Sequence, residues 1–125
     1  MIPFTRHWAL ALGTAAALLS VAACGSLKTP ATADVAVSKA AVDNAAGAGG
    51  ADYAPVEMLA ARQKMALANQ AMASKDYKQA LTLAAAAQAD AKLAQSKANS
   101  AKAQIAADAL QDDIRVLREE LERNN

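Results

Sequence analysis

The chain has 125 residues and a formal net charge of +1, and 54% of its residues are hydrophobic. Alanine supplies 37 of them, so the apolar content is rich in the best helix former and poor in side-chain volume to bury. With aromatics at 3% and only 5 Gly and 3 Pro, the composition argues against a β-sandwich, a parallel α/β sheet and a disordered chain. It points to an all-α protein of long, closely packed helices.

The N-terminus carries Arg6, then an apolar run over residues 8–19, then Ser20-Val21-Ala22-Ala23-Cys24. A positive start, a short apolar stretch and small residues before a cut are the parts of a secretory signal, over residues 1–23. The run is too short for a transmembrane helix, which needs about 20 apolar residues. Val21-Ala22-Ala23-Cys24 resembles the bacterial lipobox. That resemblance implies cleavage between Ala23 and Cys24 and covalent lipid on Cys24, which anchors the chain to a membrane. The alternative is an ordinary signal peptide with a chance cysteine. Gly25 stands where Asp would mark inner-membrane retention, so the resemblance implies the periplasmic side of the outer membrane.

Past the signal, residues 24–125 hold 12 basic and 12 acidic side chains and no His or Trp. A neutral, mixed-charge surface offers no footprint for nucleic acid. Without His, and with its one Cys expected to carry lipid, this stretch lacks the usual zinc ligands and any Ser-His or Cys-His nucleophile arrangement. No enzyme activity and no cofactor beyond the lipid are expected.

Residues 24–32 read as the lipidated Cys and a flexible tether, and residues 33–125 as one helical domain. Thr32 is placed to cap a first helix over about 33–46, carrying Val35 and Val42. Gly47-Ala48-Gly49-Gly50 ends it, because glycine supplies the positive φ on which helices stop. A second helix spans about 55–73, with Pro55 suited to its first position and Glu57 complementing its dipole. Met58, Ala61, Met65, Ala68 and Met72 recur at steps of three and four along it. This stripe reads as helix packing, or as an adaptable Met58/Met65/Met72 docking face.

Ser74-Lys75-Asp76 reads as a short turn, and no Gly or Pro interrupts the 47 residues from Tyr77 to Arg123. A second seam runs Tyr77, Ala80, Ala84, Ala87, Ala91, Ala94, Ala98, Ala101, Ile105, with Leu81, Leu83 and Leu93 on a separate flank. A short connection joins antiparallel neighbours, so the second and third helices are expected as a coiled-coil-like hairpin. The third is much the longer and overhangs from about residue 97. There the seam shifts register to Ala103, Ala107, Leu110, Ile114, Leu117 and Leu121. Either the first helix runs on to cover this part, or it is a self-association or docking site. Asp112/Arg115, Arg118/Glu122 and Glu119/Arg123 are spaced to pair along it. Asp112 and Asp113, adjacent on a helix, point apart and are not a catalytic pair. Tyr53 and Tyr77, each beside a turn, are expected to plug the two ends of a thin core.

Tyr53-Ala54-Pro55-Val56-Glu57-Met58, Lys64-Met65, Lys75-Asp76-Tyr77 with Ala80, and Leu117-Arg118-Glu119-Glu120-Leu121 together resemble a bacterial lipoprotein family known as domain of unknown function 4398. The resemblance runs over about 33–123 and implies a helical, lipid-anchored domain with no established activity. Lys-Asp-Tyr-x-x-Ala is similar to the start of a tetratricopeptide second helix, but a stable stack needs about three units. The chain ends Arg123-Asn124-Asn125, without an OmpA-like portion and without the terminal Lys or Arg of murein lipoproteins. Covalent peptidoglycan attachment is therefore not expected.

The functional expectation is a lipid-anchored periplasmic envelope protein serving as a structural or interaction module. Its partner would be another envelope protein or a second copy, met through Leu110, Ile114, Leu117 and Leu121. The alternative is a periplasmic binding or chaperone-like module that uses Met58, Met65 and Met72.

Overall fold

A computed structural model describes residues 27–124. The expected signal peptide, the cut at Ala23 and Cys24, and the lipid site on Cys24 lie outside the described residues. These residues form α1 (Lys28–Gly47), α2 (Gly50–Tyr53), α3 (Pro55–Ala73) and α4 (Tyr77–Arg123), and no strand is present among them.

α1 begins five residues before its expected start, which corrects the tether boundary. Pro30 lies in the first turn, where a missing N–H costs nothing. Thr32 does not cap; its hydroxyl donates to the Lys28 carbonyl at 2.8 Å, inside the helix. Packing holds this added turn, because Ala31 is buried against Ala71 and Ala80. α1 stops where the glycines begin. Gly49 takes φ 87°, and its N–H bonds to the Ala46 carbonyl at 3.0 Å. The chain then makes the single turn α2, which the sequence did not announce.

α3 and α4 have the bounds expected of them, because their end signals are local. Pro55 opens α3. At its far end Lys75 N–H bonds Met72 O at 3.1 Å and Asp76 N–H bonds Ala71 O at 2.9 Å. This pair of bonds is the Schellman ending, with Lys75 at φ 63° in the place that glycine usually takes. The Asp76 carboxylate then accepts from the Gln79 N–H at 3.0 Å and caps α4.

The core is a seam of small side chains. α3 buries Met58, Ala61, Met65, Ala68 and Ala71, and α4 buries Ala80, Ala84, Ala87, Ala91, Ala94 and Ala98. Ala71 takes the buried position expected of Met72, which is half-buried beside it. The last buried step of the seam is three residues, not four, because Ala71 is the side chain that packs with Ala31 of α1 and Ala80 of α4. α1 adds Val42 and Ala45, and Val35 and Leu83 pack at the edge of the same cluster.

The route of α1 is the main correction. It does not run on to cover the end of α4. Its start packs with Ala71 and Ala80, and its end packs with Met58, so it lies along α3 and α4. Leu81 of α4 packs against the cluster that holds Ala31, at the start of α1. Beyond Ala101, every residue of α4 from 102 to 123 is exposed. That stretch is about 33 Å of helix at 1.5 Å per residue.

Candidate functional site

The two surfaces marked by the sequence have opposite fates. Met58 is 1% exposed and Met65 6%, both enclosed among Val42, Ala61, Ala68 and the α4 alanines. Met72 is half-buried against Ala31, Ala71 and Ala80. The Met58/Met65/Met72 face is therefore interior, which corrects its reading as a docking surface. In a seam of alanines, a long flexible thioether is the side chain able to fill irregular gaps.

The distal stripe of α4 is open. Leu110, Ile114, Leu117 and Leu121 recur at steps of four, three and four, and each is at least 48% exposed. Around it the helix is laced by its own charges. Arg115 bonds Asp112 at 3.3 Å and meets Glu119 at 3.5 Å, and Gln104 donates to Asp108 at 3.0 Å. Each such pair adds only about 0.2–0.5 kcal/mol. They support a helix that has no bundle to lean on.

Two ion pairs join α3 to α4: Lys64 with Asp90, and Lys97 with Glu57. Neither was anticipated, although a signal existed. Glu57 and Lys64 lie seven residues apart on one helix, Asp90 and Lys97 seven apart on the other, both beside the seams. The hydrogen bond from Lys97, followed by Glu57's own backbone N–H, holds the Glu57 carboxyl below the usual glutamate range. A carboxyl with a lowered folded-state pKa adds stability above its unfolded pKa, and that stability is lost as pH falls through the folded value. Glu57→Gln is therefore expected to lower the melting temperature near neutral pH, with the deficit shrinking as the solution is acidified below about pH 4. Circular dichroism melts across that range check it, and parallel curves for the two proteins would refute the role of this pair.

Tyr53 is not the core plug expected of it. It is 40% exposed, and the Lys102 ammonium lies 5.8 Å from its ring centroid. Tyr77 does pack inward, against the cluster of Ala31, Ala71 and Ala80. Among the described residues no three His, Cys, Asp or Glu side chains converge as a metal site. No described helix is long and apolar enough to cross a membrane. The hollow beside the α3–α4 turn, about 250 Å³, is lined by Leu67, Gln70, Ala71, Ser74, Gln79 and Leu83, none of which titrates near neutral pH.

With this geometry in place, residues 33–110 match the family model described as Domain of unknown function (DUF4398). The chain belongs to this family. The DUF4398 match takes in most of α1, all of α2 and α3, and the packed part of α4. It ends at residue 110, so Ile114, Leu117 and Leu121 lie past the matched stretch. Among curated proteins and among solved structures, nothing matches the chain.

Proposed function

We propose that this DUF4398 chain is a lipid-anchored envelope protein on the periplasmic side of the outer membrane. It serves there as a structural or interaction module, without catalysis. In this reading α3 and α4 form an antiparallel, coiled-coil-like hairpin with α1 alongside, and α4 overhangs. The ion pairs of Glu57 with Lys97 and of Lys64 with Asp90 support that arrangement. Numbers rise along one helix as they fall along the other, and Ala71 with Ala80 continues the trend toward the turn.

The observation that carries the function is the exposed Leu110, Ile114, Leu117 and Leu121 stripe. Large apolar side chains in a continuous exposed row mark an interaction surface. The lipobox-like Val21-Ala22-Ala23-Cys24 supports the anchor. α1 begins only four residues after Cys24 and packs near the α3–α4 turn, so the anchor belongs to that end of the rod. The stripe begins 33 residues along α4, about 50 Å farther out at 1.5 Å per residue. The rod thus holds its sticky end away from the membrane.

A photo-reactive residue in place of Leu110 or Leu117, in the full chain in bacterial cells, tests this. Adducts in the outer-membrane fraction are expected from both positions and not from exposed Lys78 near the turn. Labelling no stronger than at Lys78, or a chain that fractionates as soluble, would overturn the reading. The binding-module alternative is disfavoured because Met58 and Met65 are enclosed.

A further inference from the structure

We propose that the distal stripe is occupied by a second copy of this chain, the two α4 helices forming a parallel two-stranded coiled coil over residues 103–121. This inference rests on reading the stripe as an interaction surface, and it names the partner.

The heptad positions choose the type of assembly. Ala107, Ile114 and Leu121 fall at a, and Ala103, Leu110 and Leu117 at d. A β-branched residue at a, set between leucines at d, fits the two-stranded parallel geometry. All six residues are exposed in the single chain.

Charge then chooses the orientation. Asp113 and Glu120 occupy the g flank, and Gln111 and Arg118 the e flank. In a parallel, in-register pair, g of one helix faces e of the next heptad on the other. Asp113 of each copy then meets Arg118 of the other, twice over. In an antiparallel pair g faces g, which sets Asp113 and Glu120 against the same acids of the second copy. Attraction in one case and repulsion in the other favour parallel. Arg115 is not available for this role, since its guanidinium is bonded to Asp112 and Glu119 on its own helix.

The body of the protein leaves room for the second helix. At about 100° per residue, the stripe points about 140° round α4 from the mean direction of Ala91, Ala94 and Ala98. Those alanines face the bundle. A second α4 laid on the stripe therefore approaches from the side that α1 and α3 leave open. Closer to the bundle the same register sets Lys92 opposite Lys97 of the second copy, and Lys97 is bonded to Glu57. The complementary stretch accordingly starts beyond the bundle. Two parallel copies also carry both anchors at one end, as a single membrane requires. Confinement to that membrane raises the effective concentration of a short, alanine-diluted zipper.

The test uses the full chain extracted in mild detergent, with dimer read by photo-crosslinking from Leu117 and by sedimentation. The unaltered chain is expected to dimerise. Asp113→Arg and Arg118→Asp are each expected to weaken the dimer about tenfold, because two pairs pass from attraction to repulsion. Mixing the two variants under different tags should restore a heterodimer, since each altered flank then meets an opposite charge. That rescue also shows that neither variant failed to fold. Single variants that dimerise normally, or a mixture that stays monomeric, would overturn the coiled coil. Adducts from Leu117 to a different protein alone would overturn the second copy as partner while sparing the interaction surface. No adduct at all would overturn both.

Discussion

Met58→Ala is expected to remove about 2–5 kcal/mol of folding stability. Met58 is the largest of the fully buried side chains, at 1% exposure, where α1, α2 and α3 converge. Its neighbours include Val42, Ala45, Ala54 and Ala61. Alanines have no rotamers with which to reach into a cavity, so the hole left by the thioether stays open and the loss belongs in the upper part of that range. A domain of this size has only about 5–15 kcal/mol in total. A fall in melting temperature of about 10 °C or more should follow. Leu59→Ala, the next residue on α3 but 58% exposed, serves as control and should change stability by less than about 0.5 kcal/mol. Similar melts for the two variants would show that Met58 does not anchor this corner.

Gly50→Ala is expected to destabilise by about 1–3 kcal/mol, against the usual sign for glycine to alanine in a helix. The substitution ordinarily gains about 0.4–1 kcal/mol by narrowing the unfolded ensemble. At Gly50 the added methyl would lie 2.7 Å from the Ala45 carbonyl oxygen and 3.3 Å from the Met58 sulfur. The sulfur can swing aside, but the carbonyl is backbone and moves only if the end of α1 moves. Gly47→Ala is the matched control. Its methyl would meet nothing within 4 Å, so the ordinary gain is expected there. Two glycines three residues apart should therefore shift chemical denaturation midpoints in opposite directions. Shifts of the same sign would mean that the close approach at Gly50 is not what sets its identity.

These two sites also show why some features were legible in the sequence and others were not. The bounds of α3 and α4 follow from residues acting within one turn: Pro55, Asp76, and the absence of Gly and Pro over 77–123. The start of α1 has no such signal. Leu27 makes no side-chain cap, and the first turn is held by burying Ala31 against residues some 40 and 49 positions away. The one turn of α2 depends on Gly49 at φ 87° and on the room left beside Ala45. Residue spacing is equally silent on whether a stripe faces inward or outward. Met58/Met65/Met72 and Leu110/Ile114/Leu117/Leu121 share the same three-four rhythm, yet one is enclosed and the other open.

The sequence alone determined that this protein is built of long alanine-rich helices, where two of them begin and end, and that a heptad stripe lies near the end of the last. Those are consequences of propensity and capping, which act over a few residues. The tertiary structure decided which stripe became core. α1 packs Val42 and Ala45 into the cluster of Met58 and packs Ala31 with Ala71, Ala80 and Leu81 at the other end, and in doing so it leaves residues 102–123 exposed. That choice compares the surface two distant segments can bury together, a quantity that no local run of residues contains.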